Sequence, residues 1–191
     1  VAGFVEDWKA RLQRLMDDVI AGAIPWCGHQ DLRRTALAEA VVASGIEELS
    51  PAAMATLTSV IHRSPPWPDS AAALDRLRLH RNVVALSNAD LDELLDLSRL
   101  GGLAWHGVIS TAVWRTFKPD PAVYSNTLQM LAADPGSVMM VAAHPWDLRA
   151  AAEHGMATAF IARPEAEAPR ADDNFDLTVT DLAELADRLA V

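Results

Sequence analysis

The first third of the chain carries the hydrophobic periodicity of amphipathic helices. Apolar residues recur at three- and four-residue intervals from Phe4 to Ile20. A second helical pattern starts near Asp31. A third, which extends to Ile61, follows Ser50, a helix-capping residue with proline at the next position. The proline-rich stretch 64–68 cannot lie inside a helix. We therefore predict a helical subdomain over residues 1–64.

From residue 65 onward, helical periodicity alternates with short continuous apolar runs, which are typical of buried parallel strands. The predicted strands cover residues 82–86, 105–110, 138–142, 158–162 and 175–179. The predicted helices cover residues 71–79, 91–97, 121–131, 148–153 and 182–189. This order predicts an α/β core over residues 65–191, in which helices cover both faces of a parallel sheet.

Charge and composition narrow the classes of partner. The net charge of −10 argues against nucleic acid or an anionic membrane surface as the partner. No apolar run reaches the roughly 18 residues that a membrane span requires. The single cysteine, Cys27, excludes an internal disulfide and fits a cytoplasmic location. An anionic substrate would need a local positive site on this acidic protein.

Polar side chains follow three of the predicted strands. Ser87 and Asn88 come after the first strand, Lys118 follows the second by a short loop, and His144 and Asp147 follow the third. Ligands of open α/β sheets bind at the carboxyl ends of strands, so we expect these groups to converge. A hydroxyl, an amide, an amine and a carboxylate together suit a bound carboxylate or phosphate and a developing oxyanion. Each group alone is equally compatible with a turn or a helix cap.

Lys118 is the most distinctive residue among these polar side chains. It is one of two lysines, and the other basic residues are arginines. It stands between an apolar segment and the two prolines of Pro119-Asp120-Pro121, which start a helix. The pattern favours a role for a primary amine, although a solvated lysine ahead of a helix has the same local sequence.

Three stretches resemble motifs of a known superfamily. Leu86–Asn88, Phe117–Tyr124 and Val141–Leu148 are similar to the second, third and fourth motifs of the haloacid dehalogenase superfamily. More narrowly, they resemble the type II 2-haloacid dehalogenases, and the segments 66–69 and 155–164 continue the match. The resemblance implies a Rossmann-like core with a helical cap and a small anionic substrate. It also implies catalysis without a cofactor or metal, and a homodimer.

The resemblance implies roles for individual residues. Ser87 and Asn88 would bind the carboxylate or halide region of the substrate. Lys118 would neutralise and orient the nucleophile, and Tyr124 would support the site. Asp147 would hold Lys118 and help to position water.

Three positions depart from the family pattern. Trp8-Lys9 matches a Trp-Arg pair whose arginine contacts the departing halide, and lysine keeps the charge without the guanidinium fork. In the fourth motif, Ala142 and His144 stand where serine and asparagine are expected. His144 is a candidate for activating water, with packing or helix capping as the alternative.

The nucleophile motif of the family, Asp-x-x-Gly-Thr, does not occur in these 191 residues. In that reaction an aspartate attacks the halogen-bearing carbon, and water hydrolyses the aspartyl ester. Asp90 and Asp92 sit at a predicted helix start, and Asp172-Asp173 lies in a loop, so none takes that place. We expect an upstream segment with the aspartate and the first central strand. Without that strand, unpaired backbone groups would make the chain unstable as a monomer.

Two alternatives stay open. A phosphatase of the same superfamily would hold Mg²⁺ with several carboxylates, whereas the fourth motif offers only Asp147. A catalytically inactive binding protein would explain the missing nucleophile, Lys9 and Ala142.

Overall fold

The computed structural model describes residues 2–46, 49–164 and 166–190. These residues form two compact units. The first comprises the described parts of Val1–Pro65, Ala85–Gly102 and Val108–Phe117. The second comprises those of Pro66–Val84, Leu103–Gly107 and Lys118–Val191. The first unit thus contains the predicted helical subdomain and two later segments, and the boundary between residues 64 and 65 remains a prediction.

Helices and strands alternate after the first three helices, except that β5 follows β4 directly in the element order. The α-helices are α1 (Ala2–Ile20), α2 (His29–Ala43), α3 (Pro51–Thr58), α4 (Ser70–Arg78), α5 (Leu91–Gly101), α6 (Pro121–Leu131), α7 (Pro145–Glu153) and α8 (Leu182–Arg188). The strands are β1 (Val84–Ser87), β2 (Gly107–Ser110), β3 (Met139–Ala142), β4 (Ala157–Ile161) and β5 (Leu177–Val179). Each predicted helix and strand is present; α6 has the predicted bounds, and the others differ at one or both ends.

One predicted assignment is wrong. Ile61 was expected in the third helix, but α3 ends at Thr58 and Ile61 lies in the 3₁₀ turn Val60–Arg63. The Thr58 carbonyl accepts from the Arg33 guanidinium at 2.9 Å, so a residue of α2 occupies the acceptor that a further helical turn would need.

The strands pair in two groups. β1 pairs with β2, and β3, β4 and β5 follow one another in that order. β4 is parallel to both of its neighbours, with Met139 opposite Ala157 and Ala159 opposite Leu177. Helix α7 packs on β3 and β4, and α8 packs on α4. The parallel pairing confirms the α/β prediction for this part of the chain.

The core of the first unit forms around α1 and α2. Its buried residues are Leu15, Met16, Val19, Leu32, Ala36 and Phe117. The Phe117 ring is fully buried and lies 4.9 Å from the ring of Trp26. The residue immediately before Lys118 is therefore fixed by aromatic packing.

Asp90 connects two helix starts in the first unit. It is the N-cap residue of α5, and its backbone N–H donates to Glu93 Oε2 at 3.1 Å. Its carboxylate accepts hydrogen bonds from the first-turn N–H groups of α2, at 3.2 Å from His29 and 2.8 Å from Gln30. A Cβ at Gly28 would lie 3.1 Å from Asp90 Oδ2, so glycine leaves room for this carboxylate. Asp90 therefore has a structural task at both helices.

Replacing Asp90 by alanine is expected to lower the free energy of unfolding by about 2 kcal/mol, because the first turn of α2 loses its acceptors. Asp90→Asn keeps a side-chain oxygen and should lose clearly less. Guanidinium unfolding of both variants checks this. Equal stability of Asp90→Ala and wild type would contradict the capping role.

Candidate active site

Lys118 and Asp147 form a buried ion pair in the second unit. The Lys118 ammonium donates to Asp147 Oδ2 at 2.5 Å. Both residues are buried, with 9% of Lys118 and 2% of Asp147 exposed. Because little water screens these two charges, the attraction between the ammonium and the carboxylate is strong. The pairing of Lys118 with Asp147 that the resemblance implied is thus present.

Tyr124 occupies the other oxygen of the same carboxylate. Its hydroxyl donates to Asp147 Oδ1 at 2.7 Å, and its ring is fully buried. Burial, followed by the negative charge of Asp147, raises the pKa of Tyr124 well above its ordinary value. Tyr124 therefore remains a protonated donor, and both Asp147 oxygens are held in place.

Local sequence explains how these side chains reach one another. Helix α7 begins at Pro145, so Asp147 lies in its first turn, where the helix dipole favours a carboxylate. Helix α6 begins after Asp120, whose carboxylate accepts from the N–H of Ala122 at 2.8 Å. The Lys118–Pro119 peptide bond is cis. The two helix starts thus bring Tyr124 and Asp147 into contact beside Lys118.

Sequence reasoning did not single out His154, which packs on Tyr124. The two rings stack with their centroids 5.4 Å apart, and His154 Nδ1 hydrogen-bonds to the carbonyl of Ala150 at 2.9 Å. His154 follows the end of α7, so the stack joins α6 to the helix that carries Asp147.

Tyr124→Phe is expected to lower the free energy of unfolding by about 2 kcal/mol, since a buried hydrogen bond to a charged group is lost. The Lys118–Asp147 pair should survive, because the phenyl ring still fills the same space. Thermal unfolding and a crystal structure of the variant would check both points. A variant as stable as wild type would contradict a strong Tyr124–Asp147 bond.

Ser87 and Asn88 lie at the end of β1 in the first unit. Ser87 is the last residue of the strand, and its hydroxyl accepts from the N–H of Ala89 at 3.2 Å. The Asn88 carboxamide oxygen accepts from the Thr111 hydroxyl at 3.3 Å, and its nitrogen donates to the sulfur of Met16 at 3.9 Å. Both residues are half-buried. The predicted convergence of this turn with Lys118 stays a prediction.

The Trp8-Lys9 pair lies on α1 of the first unit. The Trp8 indole N–H donates to the carbonyl of Arg33 at 3.0 Å. The Lys9 ammonium is exposed and pairs with Glu6 at 3.0 Å. A role of either residue at the halide stays a prediction.

His144 is the N-cap residue of α7 and is exposed. Its ring stacks on that of Trp146, with centroids 5.6 Å apart. The backbone carbonyl of His144 accepts from the N–H of Asp147 at 3.1 Å. These contacts place His144 at the same helix start as Asp147, and its action on water stays a prediction.

A buried ionic network in the first unit was also missed. The Arg33 guanidinium donates to both oxygens of Glu93, at 2.5 and 3.2 Å, and contacts His29 Nδ1 at 2.7 Å. Burial by itself would raise the pKa of Glu93, but hydrogen bonding and charge from His29 and Arg33 lower it to about 2. The four-residue spacing of His29 and Arg33 predicts that they share one face of a helix. It does not predict that Glu93, 60 residues after Arg33, is their partner.

The described residues lack the features of a metal site and of a membrane-spanning helix. In that part of the chain, no group of three or more His, Cys, Asp or Glu side chains is arranged to hold a metal ion. None of the helices described here has both the length and the apolar character for crossing a membrane.

Comparison with known families settles the superfamily. Residues 4–155 match the haloacid dehalogenase-like hydrolases. The chain belongs to this family of hydrolases. The resemblance inferred from the three motifs is therefore confirmed.

Solved structures of this hydrolase family confirm the fold class. An L-2-haloacid dehalogenase that is 34% identical superposes with a TM-score of 0.89, over 97% of this chain and 82% of that one. A defluorinating L-2-haloacid dehalogenase, also 34% identical, superposes with a TM-score of 0.89 over 99% and 80% of the two chains.

Curated relatives within the hydrolase family are longer than this chain. An (S)-2-haloacid dehalogenase of Xanthobacter autotrophicus is 31% identical over 137 residues, which are 71% of this chain and 53% of the relative. A second, from Burkholderia cepacia, is 29% identical over 56% of this chain and 48% of its own length. The chain spans about half the length of these relatives.

Proposed function

We propose that the protein hydrolyses a small 2-halocarboxylate, releasing halide and a 2-hydroxycarboxylate. The observation that carries this proposal is the buried contact of Lys118 with Asp147, in which Tyr124 occupies the second carboxylate oxygen. Such an ammonium is oriented before the substrate arrives, so it stabilises negative charge without reorganisation. The names of the similar enzymes support the choice of a 2-haloacid.

The proposed reaction has two steps. A carboxylate beside Lys118 attacks C2 of the substrate, forming an ester bond as the carbon–halogen bond breaks and halide leaves. Water then adds to the ester carbonyl, which frees the 2-hydroxycarboxylate and regenerates the carboxylate with loss of a proton. None of the 191 residues is assigned the attacking role.

The remaining site residues have supporting roles in the proposal. Asp147 holds the Lys118 ammonium and helps to position water, and His144 activates that water. Ser87 and Asn88 bind the substrate carboxylate through their hydroxyl and amide groups. Trp8 and Lys9 face the departing halide, a role that requires Lys9 to leave Glu6.

Halide release by the full-length protein from both enantiomers of 2-chloropropionate tests this function. We expect release that EDTA does not change, and no phosphate release from 4-nitrophenyl phosphate. Phosphate release that needs Mg²⁺, without halide release, would replace the proposal by the phosphatase alternative. Absence of both activities would favour the inactive binding protein.

We also propose a cytoplasmic homodimer as the working form. The single cysteine supports a reducing compartment, and the family resemblance supports the dimer. Light scattering coupled to size-exclusion chromatography gives the mass directly, and a monomer at micromolar concentration would contradict the dimer.

A further inference from the structure

Helix α7 holds Tyr124 at two places along its length. Near the start of the helix, Asp147 accepts the hydrogen bond from the Tyr124 hydroxyl at 2.7 Å. At its end, the His154 ring stacks on the Tyr124 ring, with centroids 5.4 Å apart and planes inclined by 27°. Residues seven apart are separated by two helical turns and lie on one face of a helix. One face of α7 therefore makes both contacts to the same tyrosine.

The His154 ring is itself held by the last turn of α7. Its Nδ1 lies 2.9 Å from the carbonyl oxygen of Ala150. A carbonyl oxygen can only accept a hydrogen bond, so Nδ1 carries the proton and donates it. The backbone N–H of His154 donates to the carbonyl of Ala151 at 3.0 Å. Because both the ring and the backbone are tied to α7, the imidazole face that meets Tyr124 has a defined orientation.

The stack controls the position of the Tyr124 hydroxyl. The hydroxyl is the side-chain atom furthest from the backbone, so a tilt of the ring displaces it more than any other atom. A hydrogen bond weakens steeply once its distance and angle depart from their optimum. The Tyr124 ring is fully buried, and removing the ring beside it would leave a space into which it could tilt. Such a tilt would remove one of the two side-chain hydrogen bonds that hold the Asp147 carboxylate.

We infer that His154 is a positioning residue for the proposed reaction. Its ring keeps the Tyr124 hydroxyl on Asp147, and Asp147 in turn holds the Lys118 ammonium. The inference rests on the proposed function, in which that ammonium orients the nucleophile and stabilises negative charge. In this scheme His154 contacts neither substrate nor nucleophile and acts through Tyr124.

His154→Ala removes the ring. In the full-length protein we expect kcat for halide release from 2-chloropropionate to fall about threefold to tenfold, the size that a single aromatic pair supplies. KM should stay within about twofold of wild type, because the Lys118 charge acts in the chemical step. His154→Phe keeps a flat ring for stacking and should retain kcat within about twofold. His80→Ala, which removes an exposed histidine from the same unit, is the control for loss of an imidazole.

A double-mutant cycle separates positioning from general packing. Tyr124→Phe lacks the hydroxyl on which His154 is inferred to act. Adding His154→Ala to Tyr124→Phe should therefore leave kcat within about twofold of Tyr124→Phe alone. A purely structural role would give the same fold-loss in both backgrounds and would overturn the inference.

Crystal structures of the variants give a measurement that does not depend on activity. In His154→Ala we expect the Tyr124 hydroxyl to lie more than about 3.5 Å from Asp147, beyond hydrogen-bonding distance. In His154→Phe it should remain near the wild-type distance of 2.7 Å. A hydroxyl that stays on Asp147 in His154→Ala would contradict the positioning role.

The possible failures are distinct. An active wild type with unchanged kcat in His154→Ala overturns the assignment of His154 and leaves the proposed function standing. A loss of equal size in the alanine and phenylalanine variants also overturns it, because the stacked ring would then be irrelevant. A wild type that releases no halide overturns the proposed function, and the assignment falls with it.

Discussion

Replacing Lys118 by methionine is expected to lower kcat for halide release by about a hundredfold to a thousandfold, the usual cost of removing a preorganised stabilising charge. Methionine fills a similar volume and carries no charge. The Asp147 carboxylate, only 2% exposed, would lose the ammonium 2.5 Å from one of its oxygens. Halide release by the full-length variant, measured at several substrate concentrations, checks the change in kcat.

The same substitution should also destabilise the fold, because breaking a buried ion pair leaves one charge without its partner. We expect a loss of about 3–5 kcal/mol. The double variant Lys118→Met/Asp147→Leu removes both charges and should be more stable than the single variant, yet equally inactive. Lys9→Met, at the other and exposed lysine, serves as the control for stability. A double variant with substantial activity would exclude Lys118 from the chemistry.

Glu93→Gln is expected to lower the free energy of unfolding near neutral pH by about 3 kcal/mol. Glu93 is fully buried, and its carboxylate faces the Arg33 guanidinium, the imidazoles of His29 and His62, and the N–H of Asp90. Glutamine keeps one acceptor oxygen but loses the charge. Asp92→Asn, one position away and exposed, should cost less than about 1 kcal/mol and is the matched control.

The contribution of the Glu93 charge to the free energy of unfolding should decrease as the pH is lowered. Its pKa is lowered in the folded protein from 4.5 to about 2, so the folded state favours the charged form. The contribution is therefore fully present above about pH 4.5 and is lost as the pH falls toward 2. Since one pKa unit corresponds to about 1.4 kcal/mol, wild type should lose roughly 3 kcal/mol more than Glu93→Gln over this range.

Urea unfolding at a series of pH values from 7 to 2 measures this difference. The other carboxylates titrate in both proteins, so the difference between the two curves isolates Glu93. If the free energy of unfolding falls equally with pH in wild type and in Glu93→Gln, the network does not stabilise the charged form of Glu93. Arg33→Leu/Glu93→Leu should cost less than the sum of the two single changes, because neither charge remains buried alone.

Local patterns in the sequence predicted the elements well, because periodicity and capping act over a few residues. The run 82–86 predicted β1, which covers Val84–Ser87. The two prolines around Asp120 correctly predicted the start of α6. The end of α3 was missed because the Thr58 carbonyl accepts from Arg33 on α2, a tertiary contact that helical periodicity does not report.

The candidate site was predictable in part for a topological reason. Ligands of open α/β sheets bind where strands end, so Lys118 and Asp147 could be expected to converge although 29 residues separate them. The strands before them, β2 and β3, pair in separate groups, so one common sheet edge does not explain their contact. The motifs named Tyr124 as well, but not its hydrogen bond to Asp147. The sequence did not predict the stacking of His154 on Tyr124, because a single histidine after a helix belongs to no recognisable motif.

The sequence by itself determined the order of helices and strands, because periodicity and turn chemistry act over a few residues. Its three motifs indicated the superfamily and, through that resemblance, the pairing of Lys118 with Asp147. Only the tertiary structure decided that Arg33 neutralises Glu93 and that the Thr111 hydroxyl bonds to the Asn88 carboxamide. Those contacts join residues 60 and 23 positions apart, and side chains so distant meet only when separate helices and strands pack together.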